Sequence, residues 1–385
     1  MDYVASPKEA YPLTAHQQLS WLRRLAVLTT VWALVVIILG AYTRLVDAGL
    51  GCPDWPGCYG FLTVPNEAHE IAEAEARFPH APVEVAKGWP EMIHRYLAST
   101  LGLLIFSLAV LSWRTRSKLS ALAQTSDSLQ INNGRLTLPR KHTWLLCALV
   151  VLQGLFGMWT VTLKLWPQVV SAHLLGGFTT LSLLALLCMR LFASPIQVSA
   201  ADKARLQSVK PLLLTALVFL VLQISLGAWV TSNYSALACT GFPACNGDPW
   251  PAMDFQDGFN LTQSIGPNYL GGILHQDARV AVHMSHRFGA LAVTLLICLT
   301  LVQVRRKSHG LSTPNRAVLM RSLALVASLL LLQVGLGITN VVALLPLPVA
   351  VAHNAVAALL LVSLLWLGYR IWTLQAPVHR QSTVK

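Results

Sequence analysis

Long apolar runs dominate the chain. Eight stretches have the roughly 20 mostly apolar residues that a membrane-crossing helix requires. They cover 25–45, 93–113, 144–163, 169–191, 212–232, 280–302, 323–345 and 349–372. Two long polar segments, 46–92 and 233–279, follow the first and the fifth runs. The links 163–169 and 345–349 are short and carry Pro167, Pro346 and Pro348. They predict tight turns between antiparallel helices.

The polar positions predict an orientation. Lys and Arg gather on one side: Arg23, Arg24, Arg114, Arg116, Lys118, Arg135, Arg140, Lys141, Arg190, Lys203, Arg205, Lys210, Arg305, Arg306, Lys307, Arg370 and Arg380. Short loops rich in these residues stay in the cytoplasm. Both termini are expected inside and both long loops outside. Those loops carry acid instead, including Asp54, Glu67, Glu70, Glu73, Asp248, Asp254 and Asp257. The first run follows Arg23 and Arg24 and is long enough to span. It reads as a retained helix, not a cleaved signal.

Composition removes one alternative. Charged residues make up 11% of the chain, against about 25% in soluble domains. The formal net charge of +12 would suit nucleic acid if it formed one patch. It is dispersed over short loops, so membrane lipid is the expected partner and nucleic acid is not.

The pattern also repeats. Gln153, Gly157 and His173 recur as Gln333, Gly337 and His353, 180 residues later. Gly40, Cys52 and Cys58 recur as Gly227, Cys239 and Cys245 at a spacing of 187. His94-Arg95 recurs as His286-Arg287 at a spacing of 192. An even number of helices per copy gives both copies one orientation, a parallel repeat. The expected fold is an all-α integral membrane protein with eight transmembrane helices in two four-helix bundles. The halves are 25–192 and 212–372, joined by a cytoplasmic linker at 193–211. Cytoplasmic ends cover 1–24 and 373–385.

Histidine within a span is costly and marks function by default. His94, His173, His283, His286 and His353 lie in or near the predicted spans. Four of them form two repeat-related pairs, His94 with His173 and His286 with His353. Facing imidazoles across a bundle suit bis-histidine heme iron. Zinc or copper would call for three or four clustered ligands. Hydrogen-bonded polar glue between helices is the plainer alternative. His69, His80, His142, His309 and His379 read as solvated and are assigned nothing.

One position breaks the repeat. Glu91 precedes His94 by three residues, where the second half has His283 before His286. Residues three apart share a helix face, so Glu91 is expected toward the cavity of its histidine. There it could take a proton or stabilise positive charge. It could equally sit at a helix start to suit the dipole. Arg44, Arg95 and Arg287 suit heme propionates, or they snorkel to the interface. Cys147, Cys188 and Cys298 read as inert core residues. Cys52/Cys58 and Cys239/Cys245 lie in the outer loops, where disulfides are expected as staples or as redox relays. No covalent heme motif is present.

These residues together resemble the heme A synthase family, which converts heme O to heme A. The resemblance covers roughly 23–372. It rests on Tyr42-Thr43-Arg44-Leu45, the Gly51-Cys52-Pro53-Asp54-Trp55-Pro56-x-Cys58 loop, Glu91-x-x-His94-Arg95, Ala172-His173-Leu174, His286-Arg287 and Ala352-His353-Asn354. It implies oxidation of a porphyrin methyl group to a formyl group. It implies substrate heme O at His94 and His173, with Arg44 and Arg95 nearby, and a resident heme B at His286 and His353, with Arg287. It gives Glu91 a catalytic role and links Cys52/Cys58 to activity. The implied setting is the bacterial inner membrane. The implied partners are heme O synthase and cytochrome oxidase assembly factors, with a homo-oligomer left open. His283 leaves the choice of ligand between itself and His286 open. A di-heme electron-transfer cytochrome and a non-catalytic heme carrier remain the competing functions.

Overall fold

A computed structural model describes residues 11–125 and 140–376. The basic residues Arg135 and Arg380, and His379, lie outside them. Among the described residues the secondary structure is helical, with no strand. The elements are α1 (Tyr11–Leu45), α2 (Ala68–Arg77), α3 (Val85–Thr125), α4 (Arg140–Thr162), α5 (Pro167–Phe192), α6 (Ala200–Gln207), α7 (Lys210–Ser232), α8 (Phe255–Gly258), α9 (Gln276–Lys307), α10 (Thr313–Val342) and α11 (Leu347–Trp372). Eight are long and apolar enough to cross a membrane. This is a multi-pass membrane protein.

The helices outrun their apolar stretches. α3 begins at Val85 and α10 at Thr313, where the hydropathy pattern starts at 93 and 323. Hydropathy marks the lipid-crossing part. The helix itself continues through polar residues until something stops it, because its hydrogen bonds are internal. The short helices α2, α6 and α8 fall where the sequence reads as loop. Each has its own cap: Ser199 Oγ accepts the Asp202 amide, and Asp254 accepts the Asp257 amide. At α2, Glu67 and Glu70 form a capping box, which satisfies amides left free at a helix start.

Packing places four helices in the middle. α1 packs on α5 and α11, α7 packs on α5 and α11, and α5 meets α11. Helices α3 and α4 flank the first pair, and α9 and α10 the second. Spans α5 and α7 are the most buried and α4 the least. The core between them is leucine-rich, with Leu184, Leu187, Leu213, Leu364 and Leu367 buried. Leu103, Leu291 and Leu331 point outward, as lipid-facing side chains should. Inside the linker, Val198 N donates to Gln375 O and Gln375 N to Ile196 O. That ties the joint between halves to the segment after α11.

Local geometry recurs with the sequence. Asp47, Tyr59, Lys164 and Leu165 have positive φ, and so do their counterparts Tyr234, Asn246, Leu344 and Leu345. The outer loops differ. In the second, the peptide groups of 261–269 reach the first half. Trp166 Nε1 donates to Gln263 O, Gln168 Nε2 to Leu261 O, and Tyr269 N to Lys164 O, at 3.0–3.1 Å. Leu165 is buried in this region, whereas its counterpart Leu345, on the other hairpin, is only half-buried.

Candidate functional site

Helices α3 and α5 bring His94 and His173 together at the loop end of the first half. Their ring centroids are 6.5 Å apart with planes at 82°. A metal–imidazole bond is about 2 Å, and the ring centre lies about 1 Å behind the nitrogen. Two rings on one iron would therefore sit about 6 Å apart. The spacing leaves room for one metal ion and no third side chain is needed.

Each of the four paired histidines rests on a glycine of a neighbouring helix. A Cβ at Gly40 would fall 2.9 Å from His94 Cε1, and one at Gly227 would fall 3.1 Å from His286 Cε1. Gly157 and Gly337 face His173 and His353 at 3.5 and 3.1 Å. The repeat shows these glycines, but only the packing shows that they seat the rings. Gly40→Leu is expected to displace His94 and to lower first-half heme occupancy at least about tenfold, since loss of a ligand's support costs that much. Heme content of the purified variant checks it, and Gly102→Leu, at an open position, should leave the content intact.

The second half is similar, with an addition. His286 on α9 and His353 on α11 stand at the positions that repeat His94 on α3 and His173 on α5. Gln333 Nε2 is 3.3 Å from His353 Nε2. Gln223 Nε2 donates to the His286 carbonyl at 2.9 Å and lies 3.0 Å from Nδ1. Nothing in the sequence pattern marks Gln223, because it has no repeat partner. The Nδ1 atoms of His94, His173 and His353 are buried without a hydrogen-bond partner, as are Arg44 Nε and Arg287 Nε. Two imidazoles 6.5 Å apart suit a metal, and the unpaired Arg44 and Arg287 Nε donors suit carboxylates, which together are what heme offers.

Glu91 and Arg95 face the disulfide loop. Among the described residues, Glu91 is the one buried carboxylate. It pairs with Arg95 and accepts the Cys52 amide at 3.0 Å. Arg95 also donates to the carbonyls of Asp54, Pro56 and Gly57. Arg287 does the same work on Cys239, Gly241, Pro243 and Ala244. Both arginines hold a Cys loop over a helix start, a role that spacing alone does not reveal. His283 stands where Glu91 does. Its Nδ1 is 3.0 Å from the Ser235 carbonyl, whereas His286 is the ring seated on Gly227.

Arg44 crosses between halves. It donates to Thr231 O at 2.7 Å, lies 3.9 Å above the Tyr234 ring and approaches Asp47 at 3.7 Å. Ser171 and Ser232 hydroxyls meet beside it at 2.9 Å.

Both disulfides form, Cys52–Cys58 and Cys239–Cys245. Their loops are short, so the chain-entropy model gives each about 2 kcal/mol. Cys239→Ser should lower the unfolding midpoint in detergent by a few degrees, and dithiothreitol should add nothing further at that loop. Two other readings change. His142 is buried against Arg190 instead of solvated, because α4 begins before it. Cys298 faces outward instead of into the core. Among the described residues, the one group of three close metal-ligand side chains is Asp254, Asp257 and His275 in an exposed loop. The intramembrane pairs thus have no third ligand of the kind zinc prefers.

Eight apolar helices that carry two repeat-related histidine pairs define a polytopic membrane protein. A family model described as cytochrome oxidase assembly protein, COX15-CtaA, matches residues 23–365. The chain belongs to this family. A heme A synthase of Shewanella oneidensis is 42% identical over 355 residues, covering 92% of this chain and 97% of the relative. Heme A synthases of Rhizorhabdus wittichii and a Chelativorans species are 30% and 28% identical, covering 91% and 89% of this chain and 92% and 88% of the relatives.

Proposed function

We propose that the chain is a heme A synthase, an oxidoreductase of the bacterial inner membrane with both termini cytoplasmic. It oxidises a methyl group of heme O to a formyl group, giving heme A for a terminal cytochrome oxidase. The observation that carries this reading is the His94–His173 pair, spaced for one iron beside the one buried carboxylate.

The two halves divide the work. Residues 25–192 take the substrate heme O, and 212–372 hold heme B on His286 and His353. Bound there, heme B supplies one-electron chemistry. His94 and His173 fix the substrate iron and so fix which porphyrin edge faces Glu91. Glu91 stabilises positive charge that develops at the reacting carbon. Its ion pair and the Cys52 amide position it. Arg95 acts through Glu91 and the loop. Arg44 and Arg287 each keep an unpartnered Nε suited to a propionate, of substrate and cofactor respectively. Heme O synthase and cytochrome oxidase assembly factors are the partners this reading implies.

The test is heme extraction. Cells lacking the chain should accumulate heme O and make no heme A, and the restored gene should reverse this. If the purified protein holds only heme B, and cells without it still make heme A, the reading fails.

A further inference from the structure

Two positions differ between the halves in a compensating way. In the second half α7 carries Gln223 and α9 carries Gly289. At the repeat spacings the first half has Val36 and Leu97 there. Gly289 is what admits the glutamine, since a Cβ on it would come within 2.2 Å of Gln223 Oε1. A larger side chain on one helix has been exchanged for a smaller one on the other. The result is a buried amide set against one histidine, His286, and no such amide at His94.

Burying an amide costs free energy unless its atoms are paired. Here Nε2 is engaged with the His286 carbonyl, while Oε1 is buried without a partner. Nε2 also lies 3.0 Å from Nδ1 and 3.5 Å from Nε2 of the His286 ring, so the donor end of the amide faces the ring and Oε1 faces Gly289. A histidine that binds iron through Nε2 keeps its proton on Nδ1 and needs an acceptor for it. Ligation therefore sets two donors against each other, and turning the Gln223 amide over would put Oε1 on Nδ1 in exchange for the bond to the His286 carbonyl. His94 has no side-chain acceptor of this kind, and only the backbone of Val36, the counterpart of Gln223, approaches its ring.

We propose that Gln223 is a positioning residue for the resident heme, its amide turning over on ligation so that the carbonyl oxygen accepts the Nδ1 proton of His286. This rests on reading the second half as a heme site. An acceptor on Nδ1 makes the imidazole more basic, fixes its rotation and favours the ferric state. The second-half heme is thereby retained and set to a lower potential. The first half keeps a ligand without that hold, which suits a heme that must arrive and leave.

The experiment is a redox titration of the full-length protein in detergent, with electron paramagnetic resonance of the low-spin heme that His286→Ala removes. Gln223→Met keeps the volume and removes the acceptor. Its heme potential should rise, and heme should wash out about 10-fold more readily. Gln223→Glu gives a stronger acceptor, and its potential should fall. Either variant decides the matter if the other does not fold. Potentials and resonance positions unchanged in the variant tested overturn the proposal while the heme site stands. A wild-type spectrum in His286→Ala overturns both.

Discussion

Replacing His286 or His353 with alanine should remove a stable low-spin heme from the purified protein, if the second half holds the resident heme as proposed. Replacing His94 or His173 should leave it in place. Low-spin iron requires both axial nitrogens, and the second half offers two histidines with matching glycine seats. Even an outer partner of a ligand is worth about 10–100-fold in affinity, so loss of a ligand should exceed that range. The check is the optical and electron paramagnetic resonance spectrum at equal protein concentration. Retention of the signal in both His286→Ala and His353→Ala would refute the pairing. A heme lost only from His283→Ala would move the ligand one turn toward the loop.

The second large effect is at Glu91. Glu91→Gln should slow heme A formation by about 10²–10³-fold, the usual span for losing one group that stabilises transition-state charge, while heme O still binds. Glutamine keeps an acceptor for the Cys52 amide, so the loop stays in place. Glu91→Ala is less informative. It strands the Arg95 guanidinium, which is only 12% exposed, and breaking such a pair costs about 3–5 kcal/mol. Comparing the heme O to heme A ratio with the unfolding midpoint separates the two effects. Wild-type turnover in Glu91→Gln would remove the catalytic role and leave Glu91 as a clamp on the Cys52–Cys58 loop.

The spans were legible because lipid demands them. In a chain this poor in charge, apolar runs near 20 residues long have little use outside a bilayer. The paired histidines were legible because duplication prints each one twice. What stayed hidden depends on contact. Helix ends at Val85 and Thr313 are set by hydrogen bonding through polar residues, which hydropathy does not weigh. Gly40 and Gly227 stand in the repeat, but a glycine does not announce what lies above it. Arg95 and Arg287 look free for any anion until the loop carbonyls are seen around them. Gln223 was invisible for the opposite reason. It departs from the repeat, so a search for what recurs passes over it.

Arg44 and Thr231 occupy the same place in the two copies, and they touch. Equivalent positions meet only near a two-fold axis. The helix pairings agree, since α1 with α11 and α7 with α5 exchange when the halves exchange. The contacts therefore pair the two halves as a two-fold axis would. In a true homodimer the axis would set one Arg44 against another, and two like charges at that distance repel. Covalent fusion lifts this restriction. One side keeps the cation, while the other supplies a carbonyl and the Tyr234 ring to receive it. Sequence divergence between the halves has turned a symmetric seam into a lock with a distinct side for each part. A split version, with each half expressed separately, should therefore reassemble as the mixed pair and not as two copies of the first half.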